Sequence, residues 1–342
     1  TDGISPAMGQ FIQFVITRAT MALITLLTVS LIVFTLMELV PGTCAERYLA
    51  FKNTQGSQIT IADIEAEERR LGLDRPFPER WGKWVYSVFV HGEFGDSCIL
   101  RLNINQLLAD KFWISLGICM AALILSYAIA VPIGIISASS KSPVTNNSLR
   151  FVSYLGLALP NFLLALIIML IATVYFGESL TGLYSKELRD APWNLAKFKD
   201  FMSHAWLPVF ILGWSATAFA LQTVRALMLD EIGKLYVTAA SARGVSGARL
   251  LWRYPAKHSL GPVVNSLGFD LNRIFNELPI VALILTLTEA GALLFESLAR
   301  SNDQQLAGAI IFLLTASIVA LNFATDILLA LIDPRVRRGM MG

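Results

Sequence analysis

The chain has 342 residues, 55% of them hydrophobic and only 15% charged, with a mean hydropathy of +0.61. Soluble domains carry about 25% charged residues. This chain therefore lacks the polar surface to coat a water-soluble globule, and its composition places it in the membrane class. A net charge of +2 gives no sign of a nucleic-acid partner, and three cysteines without a C-x-x-C spacing argue against a metal cluster.

In chain order, residues 1–8 read as an expression remnant, with Met8 a candidate native start. The apolar run that follows is long enough to stay in the membrane, so no cleavable leader is expected. Crossing a bilayer as a helix takes about 20 mainly apolar residues. Six segments meet that length: 14–40, 112–137, 151–176, 206–229, 262–286 and 306–332. The expected organisation is a first membrane helix within 9–41, a long external loop over 42–111 and a core membrane domain over 112–342. Pro160 falls inside the third segment, where neighbouring helices are expected to satisfy the freed backbone groups.

Cations set the orientation. Lys141 and Arg150 sit between the second and third segments with no acid. Six basic residues from Arg225 to Lys257 face only Asp230 and Glu231, and the tail reads DPRVRRGMMG. The 177–205 loop balances its charges. Lysine and arginine excess marks the cytoplasmic side, so both termini and the basic 230–260 loop are expected there, with 42–111 and 177–205 outside. The basic loop is helical in composition and broken at Gly244 and Gly247. It reads either as an interfacial helix pairing its cations with lipid phosphates or as a docking surface for a cytoplasmic partner.

The fifth segment carries FDLNRIFNELP. Asp270, Arg273 and Glu277 are spaced i, i+3, i+7 and share a helical face, with Asn272 and Asn276 on an adjoining stripe. A charge at the bilayer centre costs about 2.5–3.5 kcal/mol on insertion scales, so these side chains are expected to face the bundle interior or a watery cavity. They read as a translocation path for a hydrophilic solute, or as an ion-pair ladder locking the helix to a neighbour. Cys44 and Cys98 both fall in the long loop. An oxidising compartment permits a disulfide between them, with two unpaired thiols as the alternative; Cys119 reads as a small buried residue. His91, His204 and His258 lack metal spacing. Glu289 and Glu296 lack an acid–base partner, and Trp81, Trp84, Trp193 and Trp206 suit interfacial belts.

Several separated motifs, in order and from Gly9 nearly to the end, resemble one family. Glu231, then Thr238-Ala239-Ala240, Gly244 and His258-Ser259-Leu260, resemble the EAA loop of bacterial ABC-importer permeases. LVPG at 39–42, LGLDRPFP at 71–78, GEFGD at 92–96 and LIDPRVR at 331–337 are similar to signatures of its dipeptide/oligopeptide/nickel group. Three places depart from that group: Thr43-Cys44 where it has Asp-Pro, TEAG at 288–291 where it has Pro-Gly-x-Gly, and Ser301-Asn302 where it has Arg-Asp. The resemblance implies an all-α membrane protein of about six transmembrane helices with the type I ABC-importer permease fold, in the bacterial inner membrane. It implies a coupling loop at 230–260, with Glu231, Ala239, Ala240, Gly244, Arg249, Arg253 and His258 docked on an ATP-binding subunit. It further implies a second homologous permease chain, two ATP-binding subunits and a periplasmic solute-binding protein, besides membrane lipid. The substrate is a di- or oligopeptide, an oligosaccharide, an opine-like conjugate or a nickel chelate; the long 177–205 loop is more like the oligosaccharide branch.

The sequence has no G-x-x-x-x-G-K-[ST] phosphate loop, so ATP and Mg are expected on the partner subunits, with no cofactor on this chain and no enzymatic role of its own. Gly244 is the expected hinge of the coupling motion, or simply a helix C-cap. The rivals are an ion-coupled secondary transporter using Asp270 and Glu277, which predicts inverted repeats that are not evident, and an intramembrane enzyme, for which no nucleophile–base or metal constellation is apparent.

Overall fold

The structure, a computed structural model, describes residues 6–39, 41–54, 60–140, 142–178, 180–189, 191–288, 290–300 and 303–332. The C-terminal DPRVRR cations and the Ser301-Asn302 departure lie outside them, as does Glu289. Among the described residues the regular structure is helical: α1 (Pro6–Leu39), α2 (Cys44–Thr54), α3 (Ile61–Leu71), α4 (Phe77–Tyr86), α5 (Ile104–Ser139), α6 (Pro143–Ala158), α7 (Asn161–Ile171), α8 (Leu195–Ile232), α9 (Leu235–Ala242), α10 (Gly247–Arg253), α11 (Pro255–Asn265), α12 (Leu267–Ile284), α13 (Ala290–Phe295) and α14 (Gln304–Ile332).

Four helices are long and apolar enough to cross a membrane: Phe11–Leu39 of α1, α5, α8, and Gln304–Ala330 of α14. The third expected segment is not one straight helix. α6 ends at Ala158, Leu159 takes an extended ψ of 111°, and α7 starts after Pro160. Proline lacks an N–H and pushes the residue before it out of the helical region. The pair formed by α6 and Asn161–Phe176 is bent by 98°. Pro132 and Pro208, by contrast, stay inside α5 and α8. The fifth expected segment is also divided, at Ser266, between α11 and α12, and the 18-residue α12 holds three charged side chains. By length and composition the described residues thus offer four spans, or five with the bent pair, rather than six.

The chain divides into two compact units. The larger takes residues 1–19, 116–287 and 320–342. Its centre is α8, packed on α6, α7, α11 and α12. Small residues let these backbones close up, as in membrane helix pairs generally. A Cβ on Gly156 would lie 2.7 Å from Ala218, and one on Gly213 would lie 3.0 Å from Ser126 Oγ. Ile135, Val224, Met228, Ala256 and Val263 form a buried cluster beside them. The 177–205 segment is folded: the Gly182 N–H donates to the Leu285 carbonyl at 2.9 Å, and the buried Lys197 ammonium donates to the carbonyls of Arg189 (2.9 Å) and Ala191 (2.6 Å).

The smaller unit takes residues 20–115 and 288–319. Within the segment expected as an external loop, the described residues form α2, α3, α4 and a π turn at Ser87–His91. Capping explains the short α3: Thr60 and Asp63 make a reciprocal capping box, and Gly72 (φ 67°) closes its C-terminus. Phe34, Phe77, Trp84, Phe89 and Phe312 form a chain of edge-to-face and tilted ring contacts. The buried Asp303 carboxylate accepts the Ser97 hydroxyl and the N–H groups of Cys98 (3.2 Å), Ile99 (3.2 Å) and Leu306 (3.1 Å).

Candidate coupling loop and polar helix

The basic loop is built as two short helices on a glycine turn. α9 is capped at Arg243, and Gly244 takes φ 87°. The Val245 N–H returns to the Ala240 carbonyl at 3.2 Å and the Gly244 N–H to that of Ser241 at 2.9 Å. These are the paired 6→1 and 5→2 bonds of a left-handed C-cap. Only glycine takes that φ without steric cost. α10 follows, and Pro255 opens α11 at the position where a missing N–H is harmless.

The remaining predicted residues separate into anchors and surface. Glu231 accepts hydrogen bonds from Lys234 Nζ and the Tyr236 hydroxyl, and the Tyr236 ring meets His258 edge-on at 5.1 Å. That chain of contacts ties the end of α8 to α11. Ala240 is buried and Ala239 exposed. Arg243, Arg249, Arg253 and Lys257 are exposed, and none forms an ion pair among the described residues. Two residues the sequence reading passed over complete the surface: Leu235 is 87% exposed and Trp252 49%. Unpaired cations around exposed apolar side chains suit a protein partner.

The five polar residues of α12 do not act as one face. Asp270 is wholly buried and accepts a hydrogen bond from the Tyr127 hydroxyl of α5, which also lies 2.9 Å from Ser266 Oγ. Its other oxygen, Oδ1, is buried without a hydrogen-bond partner. The Arg273 guanidinium lies over the Phe219 ring at 4.1 Å, with Phe269 at 5.5 Å. Glu277 Oε1 accepts from Ser215 Oγ at 3.4 Å, and Ser215 is held by Asn161 through bonds of 3.2 and 3.3 Å. No ion pair joins Asp270, Arg273 and Glu277 among the described residues, as the alternative ladder reading would require: each charge has a partner outside α12 instead. Asn272 and Asn276 are exposed. Sequence reasoning missed Tyr127, Asn161 and Ser215, since nothing local marks them as partners of a distant helix.

Cys44 and Cys98 of the smaller unit form a disulfide with Cα atoms 5.6 Å apart; Cys119, in the part of α5 that belongs to the larger unit, is free and buried. No group of His, Cys, Asp and Glu able to hold a metal ion occurs among the described residues.

The family model described as "Binding-protein-dependent transport system inner membrane component" matches residues 130–338, and its companion for the N-terminal part of such membrane components matches 11–101. The chain is 27% identical over 324 residues to the oligopeptide transport system permease protein AppB of Bacillus subtilis (strain 168), covering 94% of this chain and 98% of the relative. It is 22% identical over 345 residues to the dipeptide transport system permease protein DppB of Escherichia coli (strain K12), covering 95% and 99%. Among solved structures, the inward-facing MetNI methionine ABC transporter matches 67% of this chain and 97% of its own with a TM-score of 0.52 at 14% identity, a likeness of fold.

Proposed function

The chain belongs to the family of binding-protein-dependent transport system inner membrane components, and from that premise we propose that it is the permease subunit of an ATP-driven importer of short peptides. It is a multi-pass inner-membrane ABC permease of the oligopeptide/dipeptide type. Peptides come before oligosaccharides because AppB and DppB carry peptide names.

The observation that carries the coupling role is the 230–260 loop. Its exposed cations and Leu235 and Trp252 surround a glycine turn between two short helices, and Glu231, Tyr236 and His258 tie that turn to α8 and α11. An ATP-binding subunit docked there pulls on both helices when it closes. α12 follows through its contacts with α8, and the groups around Arg273 and Glu277 change their exposure to a passing solute. ATP and Mg belong to two partner ATPases. A second homologous permease completes the pore, and a periplasmic binding protein delivers substrate. In this reading both termini and the 230–260 loop are cytoplasmic.

The test is a pull-down of the chain in mild detergent with mass spectrometry of its companions. A second permease and an ATPase are expected. Recovery of the chain alone, or only as a homo-oligomer, overturns the assembly and returns ion-driven transport through Asp270 and Glu277 to the front.

A further inference from the structure

The smaller unit carries a half-open cavity of ≈ 700 Å³ between the end of α1, the helices α2–α4 and the start of α14. Small-molecule sites typically occupy roughly 300–1,000 Å³. Six cations line it: Arg47, Arg69, Arg70, Arg75, Arg80 and Lys83. Only two acids do, Glu38 and Glu46.

The cations do have carboxylate neighbours, but most of these lie elsewhere. Glu65 pairs with Arg69, Glu67 with Arg70, and Glu79 with both Arg75 and Lys83, and none of these three acids lines the cavity, whereas Arg80 is paired with Glu38, which does. The lumen therefore meets an excess of positive charge. Phe34, Met37 and Trp84 supply an apolar wall. Gln304 and Gln305 add polar side chains to the lining. Guanidinium forks match carboxylates in bidentate geometry, and an apolar wall accepts the body of a ligand whose charged end they hold.

We propose that this cavity binds a short peptide by its terminal carboxylate, with the cations on that group and the peptide side chains against Trp84 and Phe34. The peptide identity of the solute rests on the importer reading above; the demand for a carboxylate with an apolar body rests on the cavity. Such a site sits on the permease itself, in the smaller unit, whereas the α12 residues belong to the larger.

The experiment uses the full-length chain in phosphatidylcholine nanodiscs and reads saturation-transfer NMR from trialanine and from trialanine amide. Trialanine is expected to bind and the amide at least tenfold more weakly. The double variant Arg75→Gln/Lys83→Gln removes two exposed cations that share Glu79, and is expected to weaken trialanine at least tenfold. Failure of maleimide to label its Cys44 and Cys98 shows the unit still folded. Equal binding of acid and amide overturns the proposal. So does an unchanged affinity in the variant, or displacement of trialanine when phosphatidylglycerol is added to the disc, which assigns the cavity to a lipid headgroup. Peptide uptake by the intact transporter, without trialanine binding to this chain, overturns the site and leaves the importer reading standing; binding without uptake does the reverse.

Discussion

Tyr127 on α5 donates its phenolic hydrogen to the buried carboxylate of Asp270 on α12, across 143 positions of sequence. It is the only hydrogen-bond donor that reaches the Asp270 side chain among the described residues, because Oδ1 has no partner. Leaving one partner of a buried hydrogen bond unsatisfied costs about 1–3 kcal/mol, and more for a charged group, whereas removing both is close to neutral. Tyr127→Phe should therefore destabilise the detergent-solubilised chain by about that amount. Asp270→Leu in the same background should restore part of the loss. Thermal unfolding of the two single variants and the double variant closes the cycle. Additive effects would remove the bond as a tie between α5 and α12.

Two glycines of α5 should respond in opposite directions. A Cβ on Gly134 would lie 2.8 Å from Val224 Cβ and Cγ1 and 3.1 Å from the Leu221 carbonyl, whereas a Cβ on Gly117 meets nothing within 4 Å. Alanine gains about 1 kcal/mol over glycine in a helix interior, and overpacking costs about 1–3 kcal/mol. Gly117→Ala should raise the melting temperature and Gly134→Ala lower it, with Val224→Ala restoring only part of the second loss, because it removes Cγ1 but keeps Cβ and the Leu221 carbonyl in place. A melting temperature raised by both substitutions would mean that α5 and α8 have room to spare.

The long apolar helices were legible because length and composition alone decide them: α1, α5, α8 and α14 each hold a run that water cannot solvate. The break at Pro160 was not, since the same residue type stays inside α5 at Pro132 and inside α8 at Pro208. Tertiary packing decides which proline bends a helix. The helices of residues 44–91 were read as loop because they are short and polar; α3 depends on its capping box and α4 on Trp84 reaching Phe34 and Phe312. Gly244 could be read, as a positive φ is written in the residue itself. The partners of α12 could not, because Tyr127, Asn161 and Ser215 are ordinary residues far away in sequence. Asp303 was passed over for the neighbouring Ser301-Asn302, and only the structure shows its carboxylate gathering the 97–99 turn.

Gly244 separates docking from drive. Its φ of 87° is inaccessible to proline, which is locked near −65°. Its N–H also closes the cap on Ser241. Yet nothing lies within 4 Å of a Cβ built there, so the bundle itself has no reason to be disturbed. Gly244→Pro should insert and assemble normally in proteoliposomes, keep ATP hydrolysis and lose solute uptake. Gly244→Ala, strained by about 1–2 kcal/mol in the left-handed region, should retain intermediate uptake. Uptake at the unaltered level in the proline variant would remove Gly244 from the coupling mechanism.

The smaller unit should loosen in acid. Partial burial pushes the Glu67 carboxyl upward, but hydrogen bonds and charge from Arg70 and Arg101 outweigh it and hold the group below its ordinary value of 4.5. Arg101 is itself stacked 3.6 Å over the Tyr48 ring. A depressed folded-state pKa stabilises above the unfolded value and loses that contribution as pH falls through the folded value. Limited proteolysis of residues 60–101 should stay slow from pH 7 down to about 5 and accelerate below the ordinary carboxylate range. Glu67→Gln should be cleaved faster at neutral pH and show a flatter acid response. An acid response of the same steepness in that variant would assign it to other carboxylates, Asp63 and Glu79 being the next held low by their hydrogen-bond partners.

The Cys44–Cys98 bond closes a segment of 54 positions that contains α2, α3 and α4. Cross-linking a loop of that length removes denatured-state entropy worth about 4 kcal/mol in the chain-entropy model. Those helices have few buried apolar residues of their own, with Ala45 and Leu49 of α2 the exceptions. Reduction, or Cys44→Ser with Cys98→Ser, should therefore release this segment well before the long helices unfold. Protease cuts should appear first between residues 60 and 101, while α5 and α8 keep their helical signal. Maleimide applied without reductant should label neither cysteine, and Cys119 should react only after unfolding because it is fully buried. Labelling of Cys44 and Cys98 in the untreated protein would show that packing through Asp303 and the aromatic chain holds the unit without the bond.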